Sequence, residues 1–241
     1  ILMKTNFRFI KSSLKTHLFL VLVFGFLSGF NIFCQSLDFE KTIRIHLWAE
    51  LDAYPESAEA SDSSLGQFDF PIKKLKKTAP FLINAMVYGW NFAYTPYDKT
   101  RRVAEYFELT DVNKIDFEKN PIVYKTPWIQ DNFMHSWIEF SRTPQMIWYF
   151  NAWNTINVKK IQGRGKAPVS LGFEGIEKAA SEAAKNAIRN YYREIIKNKP
   201  KEIDGKLIIT KEPKIGISEG QYIVELDFFL ETDRILKYTQ F

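Results

Sequence analysis

The chain holds one cysteine, Cys34, and three histidines among 241 residues. A lone cysteine closes no internal disulfide, so cross-linked mini-scaffolds and thiolate zinc sites are excluded. A cysteine nucleophile is excluded as well once a processed chain starts beyond Cys34. Long apolar runs are also missing. The greasiest stretch, Leu18–Phe30, has 13 residues and contains Gly25, Ser28 and Gly29; a membrane-spanning helix needs roughly 20. Acidic residues are absent from the first 36 positions, where Lys4, Arg8, Lys11 and Lys15 stand alone.

That last absence explains the charge. The whole chain carries +5 with a pI near 9.0, which would point to nucleic acid or an anionic surface. Removing the four leader cations from 33 leaves 29 basic against 28 acidic residues, a net of +1 from Leu37 onward. Beyond Lys73–Lys77 the body has no basic run, so no nucleic-acid partner is expected. No cofactor and no metal are expected either: the body histidines, His46 and His135, have no histidine or cysteine at ligand spacing.

What is present reads first as a leader. A basic start, a short apolar centre and a polar exit (Asn31–Ser36) form the layout of a secretory signal. The expectation is a signal peptide over 1–36, cut after Ser36, and an exported 37–241 body in the periplasm or outside the cell. An uncleaved N-terminal anchor and lipid attachment at Cys34 are the alternatives; Phe33 before that cysteine argues against the second. Membrane contact is expected only through the leader.

The body is 46% hydrophobic and 25% charged, a globular composition. Ile43–Leu51 alternates apolar and polar positions, the period of a strand with one buried face. Further strands are predicted at Phe81–Tyr94, Arg102–Leu109, Ile122–Lys125, Phe133–Ser141, Gln145–Trp153, Thr155–Ile161, Lys206–Thr210, Lys214–Ile217 and Tyr222–Leu230. Pro55–Gly66 reads as a loop leading into an exposed helical turn or two at Lys73–Lys77. One helix is predicted over Glu174–Asn198, with an alanine-rich inner stripe (Ile176, Ala180, Ala183, Ala187, Tyr191, Ile195) suited to close approach to a sheet. The fold class is therefore α+β: mainly antiparallel strands, about 8–10 of them in a meander or sandwich, with one long amphipathic helix. A single domain is expected, with a soft internal boundary at Gly163–Lys166.

Two motifs dissolve on inspection. Gly216-Ile217-Ser218-Glu219-Gly220 has the letters of a nucleophile elbow but leads into a strand, and no histidine follows His135. It reads as a hairpin turn. Gly163-Arg164-Gly165-Lys166 lacks the earlier glycine and the hydroxyl of a phosphate loop, and reads as a solvated connection.

The aromatics are the distinctive content: all six Trp and eleven Tyr lie beyond the leader. Trp and Tyr plates stack on sugar rings or line a ligand slot. The ligand-binding candidates are Trp48 with His46 and Glu50 on one strand face, Trp90, and His135 with Trp137 and Glu139 on another. The catalytic residues are left unassigned. The functional expectation is an envelope-associated binding or structural protein, with an envelope protein or a small molecule or glycan as partner. The alternatives are a hydrolase using carboxylate pairs, Glu50 with Asp52 or Glu225 with Asp227, and a subunit of an envelope assembly.

Overall fold

The computed structural model describes residues 41–54, 57, 66, 68–153 and 158–238. The leader, most of Pro55–Gly66 and residues 154–157 lie outside the described residues. The described residues from Ile43 onward form one compact unit. In chain order the elements are β1 (Thr42–Glu50), α1 (Asp69–Val87), β2 (Trp90–Thr95), β3 (Tyr106–Asp111), β4 (Val123–Tyr124), β5 (Trp128–Gln130), β6 (Phe133–Ser141) and α2 (Pro144–Ala152). There follow β7 (Lys159–Pro168), a 3-10 turn at Val169–Glu174, α3 (Gly175–Ile195), β8 (Glu202–Ile209), β9 (Lys214–Ser218) and β10 (Gln221–Leu236). The expected α+β, mainly antiparallel class is what the chain adopts.

The smaller sheet is centred on β6, with β1 on one edge and β4 and β5 on the other. β1 buries Ile43, Ile45, Leu47 and Ala49 and turns Arg44, His46 and Trp48 the other way. β5 returns to β6 through Asp131 and Asn132, with φ of 50° and 66°, the left-handed pair that short polar residues supply in a two-residue hairpin.

The larger sheet runs β3-β2-β8-β10-β7, with β9 also paired to β10. β10 is its spine: β7 covers one edge, while β9 and β8 take successive stretches of the other, all antiparallel. The predicted hairpin at Glu219-Gly220 joins β9 to β10, with Ser218 opposite Gln221.

α3 lies on β7 and fulfils the prediction of close approach. Its Ala179, Ala180, Ala183, Ala184 and Ala187 are buried, and they meet the buried face of β7 at Gly163 and Gly165. A Cβ on Gly163 would stand 1.9 Å from the Ala183 carbonyl oxygen, and one on Gly165 2.1 Å from that of Ala179. This corrects the reading of Gly163–Lys166 as a solvated connection. The segment is mid-strand, and its glycines are the seat of the helix. Further along, the inner stripe continues through Ile188 and Tyr192 rather than Tyr191 and Ile195, and Ile195 is exposed. Strict four-residue steps drift around a helix of 3.6 residues per turn.

Two predicted strands are helical. Phe81–Tyr94 divides at Gly89: Phe81–Val87 completes α1, and the strand is Trp90–Thr95. The buried stripe Leu75, Ala79, Leu82, Ile83, Met86 has helical spacing. Its start was masked by the lysine run and by Pro80, a residue that usually breaks a helix but sits inside this one. Gly89 ends the helix at φ +79°, and a Cβ there would lie 2.0 Å from the Leu207 carbonyl oxygen. Gln145–Trp153 is largely α2. Thr143 caps it, its Oγ1 accepting from the Met146 N–H at 3.3 Å, and Pro144 occupies the first turn. The α1 lysines are also not all exposed, since Lys74 is wholly buried.

Candidate functional site

Three groupings hold the chemistry-bearing side chains. The first joins most of the residues singled out from sequence. Because β1 and β6 are neighbours, His46 and His135 meet, with Nε2 and Nδ1 3.2 Å apart. Their ring planes are near parallel with Trp128 beside them, centroids 5.2–5.5 Å apart. Trp137 lies 5.2 Å from His46, tilted, with the Arg44 guanidinium 4.4 Å from its ring centre. Glu139 takes Lys125 at 2.7 Å and Arg44 at 3.8 Å. Burial, and then the nearby His135, hold His46 below the ordinary histidine value, against Glu212. Glu212 accepts the His46 backbone N–H at 2.6 Å.

Trp48 borders this cluster without offering it a free polar edge. Its indole N–H donates to the Ile215 carbonyl at 3.3 Å, and its ring meets Phe133 edge-on. Trp90 is placed elsewhere altogether. It is buried between Phe81 and Phe228, so the sequence reading of Trp90 as a ligand contact gives way to a core role.

Glu50 belongs to the second grouping, a buried triad. Its Oε2 takes Lys74 Nζ at 2.6 Å, and its Oε1 accepts from the Tyr222 hydroxyl at 2.6 Å. Lys74 Nζ also donates to the Tyr222 oxygen. The three residues come from β1, α1 and β10, and all are nearly inaccessible. Both carboxylate oxygens of Glu50 are engaged inside the fold, which corrects its reading as a ligand contact. The carboxylates of the other proposed pair are each met by a cation, Glu225 by Arg164 at 3.6 Å and Asp227 by Lys211 at 3.4 Å.

The third grouping is a cleft of about 530 Å³ beside the C-terminal half of α3. α3 presents Arg189 and Arg193 one turn apart, β2 contributes Tyr94, and Tyr97, Glu105 and Lys199 come from the adjoining loops. Tyr192 and Ile203 form part of the apolar wall. The Tyr94 hydroxyl donates to Glu105 at 2.9 Å. Burial, and then that bond, push the phenol above its ordinary value, while Arg189 and Arg193 act in the opposite direction. Arg189 lies 3.7 Å from Glu105 and donates from Nη2 to Asn186 at 2.6 Å. Its Nε–H is buried with no acceptor among the described residues. Lys199 donates to the Tyr97 carbonyl at 2.7 Å. Three cations, one carboxylate and three tyrosines therefore line one cleft, and Glu105 is also approached by Lys185 at 3.9 Å. The cleft continues past Ile196 and Lys199 into a larger groove of about 1010 Å³ lined by Arg101, Lys197, Lys237 and Tyr238.

Sequence reasoning missed this cleft and the triad. A signal existed for the cleft: Lys185, Arg189 and Arg193 recur every four residues on the predicted helix, a cationic row opposite the alanine stripe. For Lys74 the signal was its position on the stripe of α1, hidden inside the lysine run.

A protein-family model matches residues 31–238. An uncharacterised protein of Treponema pallidum (strain Nichols) is 27% identical over 202 residues, which is 82% of each chain. No solved structure matches the chain.

Proposed function

The chain belongs to the family whose model spans residues 31–238, and for this member we propose that the α3 cleft binds a small anionic molecule with an apolar or aromatic body. The observation that carries the reading is that Arg189, whose buried Nε–H has no acceptor among the described residues, lines a tyrosine-rich cleft with three cations and one carboxylate. A buried donor without an acceptor is costly, roughly 1–3 kcal/mol, and the Arg189 side chain, 36% exposed at the cleft, has only to turn for that N–H to meet a ligand oxygen. Arg189 and Arg193 repel one another at this spacing, and an anion between them removes the penalty. The tyrosine plates supply apolar contact for the rest of the molecule.

The protein does this as an exported component of the cell envelope. The support is the leader: four cations with no acid, the apolar run Leu18–Phe30, and a body of nearly neutral charge. Among the described residues no helix is long and apolar enough to cross a membrane. A mature chain beginning at Leu37 in N-terminal sequencing supports export. An intact leader on protein that pellets with membranes overturns release from the membrane.

The ligand reading is tested with 8-anilinonaphthalene-1-sulfonate, an aromatic anion. The wild-type chain should bind it saturably, and Arg189→Gln and Arg193→Gln should each weaken binding by about tenfold or more, as loss of a charge-assisted hydrogen bond implies. Trp148→Ala, which removes an exposed aromatic outside the cleft, should leave the affinity unchanged. Equal affinity in wild type and both arginine variants refutes the reading.

A further inference from the structure

The paired imidazoles on the smaller sheet are not used by the cleft. We propose that His46 and His135 form an open two-histidine site for one divalent transition-metal ion of the copper, nickel or zinc class.

The geometry is the first argument. Two nitrogens bound to one such ion at about 2.0–2.1 Å, with an angle between 90° and tetrahedral, are about 2.9–3.4 Å apart. The His46 Nε2 to His135 Nδ1 distance is 3.2 Å. The nitrogens already face each other across a hydrogen bond, whose proton a bound ion would displace, and they come from adjacent strands of a hydrogen-bonded sheet.

The surroundings are the second. Trp128 and Trp137 flank the imidazoles and restrict their rotation, the orienting role that surrounding groups play in metal sites. Glu212 holds the backbone of His46 from one side, and Glu139 stands on the same face of β6, where it offsets Arg44 and Lys125. Both histidines are half-exposed, so water reaches the remaining coordination positions. Among the described residues no three ligating side chains converge. The site is therefore open and exchangeable, unlike a closed structural centre. Imidazole ligands with water favour copper over nickel and zinc in affinity.

The test uses the full chain and Cu²⁺ alone at fixed neutral pH in a non-coordinating buffer. One equivalent should quench tryptophan fluorescence, through Trp128 and Trp137, and electron paramagnetic resonance should show coupling to two imidazole nitrogens. His46→Asn and His135→Asn should each weaken binding at least tenfold. Coupling to fewer than two nitrogens in the wild-type chain overturns the proposal even where a variant fails to fold. So does full-affinity binding in the double variant, which would place the metal elsewhere, for example on His17, the third histidine of the chain.

Discussion

At the residue scale the most consequential side chain is Lys74. A lysine with no exposed surface is tolerable because groups such as Glu50 and Tyr222 meet its ammonium, whose Nζ also lies 4.2 Å from the Tyr222 ring centre. Removing one partner leaves a charge stranded. Lys74→Met should destabilise the fold by about 3–5 kcal/mol in urea titration, and adding Glu50→Gln should recover part of the loss, since replacing a buried pair costs far less than breaking it. A loss under 1 kcal/mol for the single variant would mean that Glu50 finds water instead. Asp98 gives a second, pH-dependent case. The Arg101 guanidinium, helped by the backbone N–H groups of Thr100 and Arg101 and opposed by burial, holds its carboxyl below the ordinary range. Its contribution is complete above the unfolded value of about 3.9 and is lost as pH falls through the lowered folded value. Protection factors at Thr100 and Arg101, corrected for the intrinsic pH dependence of amide exchange, should therefore be high at pH 6 and fall as the pH drops through the lowered folded value.

At the element scale, how much was legible depended on whether burial was one-sided. β1 and β6 alternate cleanly, and sequence located β6 at Phe133–Ser141 to the residue. α1 was not legible, because a buried lysine and an internal proline interrupt its stripe. α2 was read as a strand because its run Met146–Phe150 is apolar all round and carries no period; the Thr143-Pro144 start signal was the better guide. The seat of α3 on β7 was half legible. The alanine stripe announced a close approach, but the matching glycines looked like a linker until the two were placed face to face. Gly165→Val should then be strongly destabilising, since its side chain would occupy the position of the α3 backbone at Ala179 and Ala183. Gly216→Val, where a Cβ meets nothing within 4 Å, is the control in the same thermal melt. Equal melting temperatures would show that α3 does not sit on β7 as described.

At the scale of the whole molecule, the net charge misleads twice. The +5 of the chain reflects the leader, while the near-neutral body concentrates Arg189, Arg193 and Lys199 at one cleft. Sequence placed His46, Trp137, His135 and Glu139 correctly on shared strand faces, but strand pairing was needed to join the two histidines. The cleft draws on β2, α3 and loops distant in sequence, and pattern alone does not bring such segments together. Arg189 is the centre of the proposed site, and the most direct measurement is the ¹H–¹⁵N resonance of its Nε–H during titration with 8-anilinonaphthalene-1-sulfonate. A saturable downfield shift of that resonance, absent in Arg189→Gln, is the predicted result. An unmoved Arg189 Nε–H while the probe binds and shifts resonances elsewhere would contradict it.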